Sequence, residues 1–165
     1  MKATETEKKV YEILKNLDIS YHKYEHPPVY TVAQAEKHWQ NIPGAHCKNL
    51  FLRNKKGNRH YLVIMKASKQ ADLRKLAKKL EEDRLSFGSP KRLQHYLSLE
   101  PGAVSPFGLI NDKNKEVEVI IDSDLKEAAR LNFHPNVNTA TIGLKFLDFE
   151  KFLAWSGQKR RYFQL

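Results

Sequence analysis

Short strand-like apolar runs and capped helices alternate irregularly along this chain, and their order limits the folds that it can adopt. The runs at 50–53 and 60–66 flank a turn at Lys56-Gly57-Asn58, which is typical of a hairpin. The regular strand–helix–strand repeat of a doubly wound parallel sheet is missing. The order therefore predicts an α+β fold, with a mixed and mainly antiparallel sheet flanked by helices in one compact domain over residues 1–165.

Capping signals predict where several helices begin. Thr4 and Thr31 each stand three residues before a Glu or Gln, the spacing of a capping box. Ser89 precedes Pro90, and proline favours the first position of a helix. Apolar spacing and turn residues predict a strand over 19–24, a helix over 73–80 capped by Ser68, a hairpin of strands 104–110 and 117–121, a helix over 125–131, a strand over 139–144, and a last helix capped by Asp148 and ended by Gly157.

The composition narrows the class of protein. Lys and Arg total 29 against 19 Asp and Glu, giving a net charge of +10, which favours a polyanionic partner such as nucleic acid. The alternative is that the charge serves only solubility. A single cysteine cannot form an internal disulfide, and no apolar run approaches the roughly 20 residues that span a bilayer. Residues 1–14 lack the uncharged core of a signal peptide, so we expect a cytoplasmic protein without a membrane partner.

Three segments place polar or backbone-bending residues where strands normally carry Val, Ile or Leu. They are Cys47-Lys48-Asn49, the Gly- and Pro-containing segment 102–108, and the segment 134–141, which begins His-Pro-Asn. Local sequence rules tend to break at functional sites. Three such breaks in one small domain predict one pocket built from distant parts of the chain.

Lys48 is the first candidate within these segments. Alternation along a strand places it on the same face as Leu50 and Leu52, where an unpaired ammonium is costly to bury. It either points into a cleft and holds an anionic or carbonyl oxygen, or it is an edge lysine that reaches water. The neighbouring Cys47 is interpreted as a small buried apolar residue rather than a nucleophile.

The other two segments offer backbone and polar side-chain groups. Gly102 and Gly108 with the intervening proline leave backbone N–H groups free to meet a carbonyl or oxyanion, although an ordinary turn has the same composition. His134 is followed by Asn136 and Thr139, which suit a polar ligand such as a ribose. The seven histidines are scattered, so we expect no metal site and no cofactor.

Together, Cys47-Lys48-Asn49-Leu50-Phe51-Leu52, the segment 102–108 and the segment 134–141 resemble the signatures of the YbaK/prolyl-tRNA-synthetase-associated domain family. The resemblance covers nearly the whole chain and is closest to the freestanding prolyl-tRNA editing group. It implies a compact α+β domain around a barrel-like mixed sheet. It also implies an enzyme that hydrolyses mischarged alanyl-tRNA(Pro) in trans. Deacylation of cysteinyl- or seryl-tRNA and a non-catalytic tRNA- or nucleotide-binding module are the alternatives.

The resemblance also implies roles for individual residues. Lys48 corresponds to the family's essential lysine, which holds the terminal phosphate or the ester carbonyl, and Asn49 helps to orient the substrate. Gly102 begins the loop whose backbone N–H groups meet the aminoacyl carbonyl, and His134 forms the pocket wall. The family uses no covalent intermediate, and the substrate's ribose hydroxyl helps to activate water. The partners implied are the acceptor end of tRNA(Pro) and, transiently, prolyl-tRNA synthetase; the further substrate-binding residues implied are Tyr30, Thr31, Ala103, Ser105, Pro106, Asn136 and Thr139.

Overall fold

The longest strand, β2, joins the two parts of the sheet and carries the first candidate motif. The structure is a computed structural model that describes residues 4–165. The strands are β1 (His22–Glu25), β2 (Ala45–Asn54), β3 (His60–Lys66), β4 (Leu85–Phe87), β5 (Val117–Asp122), β6 (Leu131–Phe133), β7 (Ala140–Leu144) and β8 (Arg160–Phe163). The α-helices are α1 (Glu5–Asn16), α2 (Val32–Trp39), α3 (Leu73–Lys79), α4 (Pro90–Leu97) and α5 (Phe146–Ser156).

The strands form one mixed sheet in the order β1-β7-β6-β2-β3-β5-β8, with β4 paired to β2. The pairs β1–β7, β6–β7, β2–β3 and β2–β4 are antiparallel, whereas β2–β6, β3–β5 and β5–β8 are parallel. Helices pack against the sheet, so the predicted α+β class with a mixed sheet is confirmed. The prediction of one domain over 1–165 extends beyond the described residues and stays a prediction.

Two apolar cores lie on the two faces of the sheet, and β2 contributes to both. Phe51 packs into the larger core with residues of α1, α4 and α5. The next residue, Leu52, packs into the smaller core with Leu76 and Leu80 from α3 and its C-terminus. Because successive side chains of a strand point to opposite faces, β2 is held from both sides. It therefore provides a rigid support for any site along it.

Three predicted N-caps are confirmed by hydrogen bonds. Thr4 accepts from the Glu7 N–H at 3.2 Å, and Thr31 accepts from the Gln34 N–H at 3.1 Å. Ser89 starts α4 in the same way. The predicted C-terminal stop is also confirmed, since the glycine after α5 has a φ of +84°. These signals are local, so they can be read without knowledge of the tertiary structure.

Two predicted caps are wrong. Asp72, not Ser68, caps α3, because the Lys75 N–H donates to the Asp72 carboxylate at 3.1 Å. Helix α5 begins directly after Lys145, which makes no capping hydrogen bond. Asp148 lies instead in the first turn of that helix, where a negative charge is favoured by the helix dipole.

The predicted hairpin between 104–110 and 117–121 is also wrong. Pro106–Asn111 is a 3-10 turn, and strand β5 pairs in parallel with β3 and β8. Ser105 starts the turn by accepting the Phe107 N–H at 3.1 Å. The proline that follows Ser105 has no N–H to donate to a ladder, so a strand is disfavoured there.

The predicted helix over 125–131 is replaced by a 3-10 turn, Ser123–Glu127, and by the short strand β6. Strand β8 is not among the strands predicted from the sequence. In the structure the Arg161 guanidinium pairs with Glu118 of the neighbouring strand at 2.6 Å. A cross-strand ion pair of this kind is not visible in local sequence.

Candidate active site

A gap in the strand pairing of β2 creates the candidate site. One edge of β2 pairs with β3 from Cys47 to Arg53. The opposite edge pairs with β6 only at 45–46 and with β4 only at 52–54. Within the described chain, no strand covers residues 47–50 on that edge. Side chains from both faces of β2 can therefore reach the same space, although they alternate along the strand.

The gap opens into a small cavity of about 240 Å³. It brings together residues of all three motifs that the sequence singled out, because Lys48, Asn49, Gly102 and His134 all line it. Tyr30 and Thr31, from the segment before α2, line it as predicted. The remaining lining residues were not predicted as site residues: Val29, Val32, Ala35, Trp39, Cys47, Leu50 and Val104.

Gly102 forms a wall of the cavity that no other residue can form without strain. Its φ is +89°, in the region that favours glycine. A Cβ on Gly102 would lie 3.3 Å from the Tyr30 Cδ1 and 3.6 Å from the Tyr30 Cα. The glycine therefore allows its loop to pack directly against the segment before α2.

The loop that begins at Gly102 also carries backbone donors. The Ala103 N–H donates to the Glu100 carbonyl at 3.1 Å and is therefore used within the turn. The N–H groups of Gly102 and Val104 have no hydrogen-bond acceptor within residues 4–165. These two amides, both of cavity-lining residues, are available to an oxygen atom of a ligand.

The His134 ring is held in a defined tautomer. Its Nδ1 lies 2.9 Å from the carbonyl oxygen of Ala140, and since a carbonyl can only accept, Nδ1 carries the proton. The Nε2 of the neutral ring then has a free lone pair. Burial lowers the pKa of His134, and the nearby His26 ring lowers it further. His134 is therefore a neutral hydrogen-bond acceptor at physiological pH.

Lys48 lines the cavity, but its ammonium donates to the carbonyl of Lys69, in the loop that follows β3. Lys69 is itself fixed by Asp122 at 2.8 Å and by Asp124 at 2.6 Å. Lys48 forms no ion pair with a carboxylate among residues 4–165. The ammonium is thus held by a single neutral acceptor, and its predicted contact with a substrate stays a prediction.

Asn49 has an unsatisfied polar atom at the cavity. Its Nδ2 donates to the Val104 carbonyl at 3.4 Å, which ties β2 to the glycine loop across the gap. Its Oδ1 is buried and has no partner within the described residues. Because a buried acceptor without a partner is costly, this atom suits a ligand donor such as an amino group.

Five predicted substrate-binding residues do not line the cavity. Ser105 connects two motifs, since its hydroxyl donates to the His134 carbonyl at 2.5 Å. Asn136 is buried with a φ of +62°, and the Thr139 carbonyl accepts the His26 N–H at 3.0 Å. Ala103 and Pro106 are buried in the loop itself, and the substrate-binding role of these five residues stays a prediction.

Cys47 lines the cavity but lacks the properties of a nucleophile. Burial raises the pKa of its thiol to about 12, so the thiol is protonated at physiological pH. This agrees with its interpretation as a small apolar residue. The unpredicted residues of α2 share a helical spacing at positions 32, 35 and 39, and that spacing is the signal that could have found them.

A larger cavity of about 730 Å³ lies elsewhere, between β3, α3 and the C-terminal residues. Its lining includes Val63, Leu73, Leu76 and Leu165, and it contains no residue of the three motifs. Within residues 4–165 there is no cluster of three or more metal-ligating side chains, and no helix there has the length and apolarity to cross a bilayer. The smaller cavity is lined by residues of all three motifs, so we take it, and not the larger cavity, as the candidate site.

Comparisons with known proteins identify the family of the chain. The profile of the aminoacyl-tRNA editing domain matches residues 26–152, which contain every residue that lines the smaller cavity. The chain is 43% identical over 153 residues to the prolyl-tRNA editing protein ProX of Acetoanaerobium sticklandii, covering 92% of this chain and 93% of that protein. It is 36% identical to prolyl-tRNA synthetase associated domain-containing protein 1 of Xenopus laevis, covering 87% and 88%.

A solved structure described as a candidate trans-editing enzyme for prolyl-tRNA synthetase superposes with a TM-score of 0.72. It covers 98% of both chains at 16% identity, so it supports the fold alone. The sequence matches are much closer and span nearly the whole chain. The predicted resemblance is thus confirmed, and this chain belongs to the aminoacyl-tRNA editing domain family.

Proposed function

We propose that this protein hydrolyses the ester that links alanine to tRNA(Pro), and that it acts in trans. The observation that carries the proposal is the meeting of Lys48, Asn49, Gly102 and His134 in one small cavity at the gap in β2. The relatives named for prolyl-tRNA editing support the choice of tRNA. The net charge of +10 supports a nucleic-acid substrate.

The reaction needs an electrophile held in place, and the glycine loop can supply this. In hydrolysis, water adds to the ester carbonyl, the bond to the ribose oxygen breaks, and that oxygen receives a proton. The free N–H groups of Gly102 and Val104 stabilise the negative charge that develops on the carbonyl oxygen. The Nε2 of neutral His134 accepts a hydrogen bond from the ribose hydroxyl or from the water.

Lys48 and Asn49 bind the ends of the substrate in this proposal. The unpartnered Oδ1 of Asn49 accepts from the α-amino group of the aminoacyl moiety. The Lys48 ammonium leaves the Lys69 carbonyl and moves to the terminal phosphate or the ester carbonyl. Exchange of one neutral acceptor for a charged or polarised oxygen favours this movement, because hydrogen bonds between charged groups are the stronger ones.

Selection of alanine follows from the limits of binding. A synthetase site discriminates by only about 1–3 kcal/mol per methylene, so alanine, which is smaller than proline, is not fully rejected. A second, smaller site, on the editing protein, then hydrolyses the mischarged alanyl-tRNA(Pro). The apolar side chains of Val29, Val32 and Ala35 are proposed to contact the methyl group of alanine and to disfavour a hydroxyl placed against them.

The location and partners are proposed on the same basis. We place the activity in the cytoplasm, where tRNA is charged. The acceptor end of tRNA(Pro) is the proposed contact, because the ester is at that end. Prolyl-tRNA synthetase is proposed as a transient partner that releases the mischarged product.

Incubation of the protein with separately charged tRNAs tests the proposal. Alanyl-tRNA(Pro) should lose its amino acid rapidly, and prolyl-, cysteinyl- and seryl-tRNA should lose theirs much more slowly. Equal loss of alanine and proline would contradict the selection step. Tight tRNA binding without turnover would favour a binding module instead, a role with which the resting contact of Lys48 to Lys69 is compatible.

A further inference from the structure

Two guanidinium groups converge at the end of β2 that is farther from the cavity. They belong to Arg53, near the end of β2, and to Arg92, in the first turn of α4, and they meet at Gly57 in the β2–β3 turn. A Cβ on Gly57 would lie 3.0 Å from an Nη of Arg53 and 2.8 Å from an Nη of Arg92. These two nitrogens are therefore within about 6 Å of each other, a distance at which like charges repel.

No carboxylate compensates this pair. Neither Arg53 nor Arg92 takes part in an ion pair among residues 4–165. Acidic residues do occur on another side of the turn, but Glu82 there is engaged by Arg59 at 3.7 Å and by the Tyr61 hydroxyl at 3.1 Å. Two adjacent cations without a counterion are typical of a site that receives an anion.

The orientation of Arg92 is fixed by neutral acceptors. Its Nη1 donates to the Gly57 carbonyl at 3.0 Å and lies 3.0 Å from the Nε2 of His60. Burial and the two arginines lower the pKa of His60 to about 4, so this histidine accepts without adding charge. The His60 ring is packed against Phe51 at 5.6 Å and against Tyr96 at 4.0 Å between ring centroids. Arg92 is thus held by a rigid, uncharged support.

Of the two arginines, Arg53 lies on the same face of β2 as Asn49 of the candidate site. Asn49, Phe51 and Arg53 share this face, because side chains alternate along a strand. Four residues separate Asn49 from Arg53, which corresponds to about 13 Å of strand. Because Phe51, between these two residues, is buried in the larger core, a polynucleotide whose end occupies the cavity would reach the two guanidiniums around this face rather than along it.

We propose that Arg53 and Arg92 form a binding site for a backbone phosphate of the nucleic-acid substrate. The shared chemistry is a phosphate oxyanion held by two guanidinium forks. The inference rests on the proposed function for the identity of the nucleic acid, a tRNA. It goes further by assigning a second contact, which serves affinity and positioning rather than hydrolysis.

The salt dependence of tRNA binding tests this site. The affinity of the whole protein for deacylated tRNA(Pro) is measured between about 50 and 200 mM salt. The slope of log K against log salt should become shallower by about one for Arg53→Gln and by about two for the double variant Arg53→Gln/Arg92→Gln. Arg161→Gln is the matched control and should leave the slope unchanged, because Arg161 is already paired with Glu118.

Arg92→Lys separates phosphate binding from a role in holding the turn. It keeps the charge but loses the hydrogen-bonding fork, so the salt slope should be retained although the turn contact to Gly57 is weakened. A lower unfolding temperature of Arg92→Gln with an unchanged slope would mean that the residue only holds the turn, and would overturn the proposal. An unchanged slope in the folded double variant would overturn it too.

Two further measurements are needed. One distinguishes a tRNA backbone phosphate from inorganic phosphate, and the other distinguishes failure of the phosphate site from failure of the proposed hydrolysis. Arg53-dependent binding of inorganic phosphate, with an unchanged tRNA slope, would overturn the assignment to a nucleic-acid backbone. Hydrolysis of 3′-O-alanyl-adenosine, which has no phosphate, should be the same in the double variant and the wild type. If the wild type hydrolyses no alanyl ester but the slopes change as expected, the proposed function fails and the phosphate site stands.

Discussion

The two halves of β2 differ in what surrounds them, and the difference separates chemistry from stability. Residues 52 and 53 have a strand on each edge, β3 on one and β4 on the other, and residue 54 pairs with β4. Residues 47–50 have β3 on one edge and a cavity on the other. Pairing on both edges satisfies the backbone of the paired half, 52–54, and Leu52 and Asn54 are buried there. The open half, 47–50, leaves polar groups free for a ligand, so changes in the two halves should have different consequences.

The largest effect is expected at the open half. Lys48→Ala should lower kcat/KM for alanyl-tRNA(Pro) by roughly a thousandfold, since the proposed contact of its ammonium with the ester carbonyl or the terminal phosphate is removed. The unfolding free energy should change little, because the ammonium has only one neutral partner. Lys48→Met keeps the apolar stem and should lose as much activity, whereas Lys113→Ala, at an exposed position, should lose none. Full activity of Lys48→Met would remove the charge from the mechanism.

At the paired half, a substitution should instead cause a large loss of unfolding free energy. Leu52 is fully buried against Tyr61 and Leu76, so Leu52→Ala should lower the unfolding free energy by about 3 kcal/mol. Urea denaturation measures this change, and activity per folded molecule should stay near that of the wild type. Leu147→Ala, at a side chain that is 77% exposed, should cost less than about 0.5 kcal/mol.

The paired half should also carry a pH dependence. The pKa of His60 is lowered from 6.5 to about 4 by burial and by Arg92 and Arg53. The unfolded chain therefore takes up a proton at higher pH than the folded chain does. This contribution is fully present above pH 6.5 and is lost as the pH falls toward 4, by up to about 3 kcal/mol.

The His60→Phe variant, which has no titrating group there, tests this by denaturation at several pH values. Its stability should fall less steeply than that of the wild type between pH 6.5 and 4. His46 and His134, whose pKa values are also lowered, contribute in the same direction, so the slope should decrease rather than vanish. An unchanged slope would show that His60 does not titrate in this window.

Two glycines with positive φ, one at the cavity and one outside it, separate a loss of stability from a loss of activity. Gly102→Ala should cost about 1–2 kcal/mol of stability, because its φ is positive, and should lower kcat/KM by roughly tenfold or more, since the added Cβ presses on Tyr30. Gly157→Ala has a similar φ of +84° but lies outside the cavity, with its nearest contact at 3.6 Å. It should show the loss of stability without the loss of activity. Equal activity of both variants would count against the glycine loop.

The smallest effect is expected at Cys47. Cys47→Ala removes a buried thiol whose raised pKa keeps it protonated, so kcat/KM should stay within about threefold of the wild type. Stability should fall by about 1 kcal/mol, because a small void is left. An inactive variant in the single-turnover assay would show that the thiol has a role in the chemistry.

The sequence predicted what depends on local signals. The caps at Thr4, Thr31 and Ser89 and the mixed α+β class are confirmed, and so is the family. The three motifs meet at one cavity, as their polar composition suggested. The assignment of catalytic and binding roles to their residues stays a prediction, which the variants above test.

The features that the sequence did not predict depend on long-range contacts. Strand β5 resembles one arm of a hairpin, but its partners β3 and β8 lie far away in the chain. The resting contact of Lys48 with Lys69 depends on where the loop after β3 is fixed, through Asp122 and Asp124. The residues of α2 at 32, 35 and 39 show a helical spacing in the sequence, but only the gap in β2 places them at a cavity.

We propose that the open half of β2, and not the larger cavity at α3, receives the aminoacyl end of tRNA. The most direct measurement is the change in backbone amide chemical shifts on titration with an alanyl-adenosine analogue whose ester is replaced by an amide. We predict that the largest changes occur at Asn49, Gly102 and Val104. Changes confined to Leu73, Leu76 and Leu165 around the larger cavity would contradict the account.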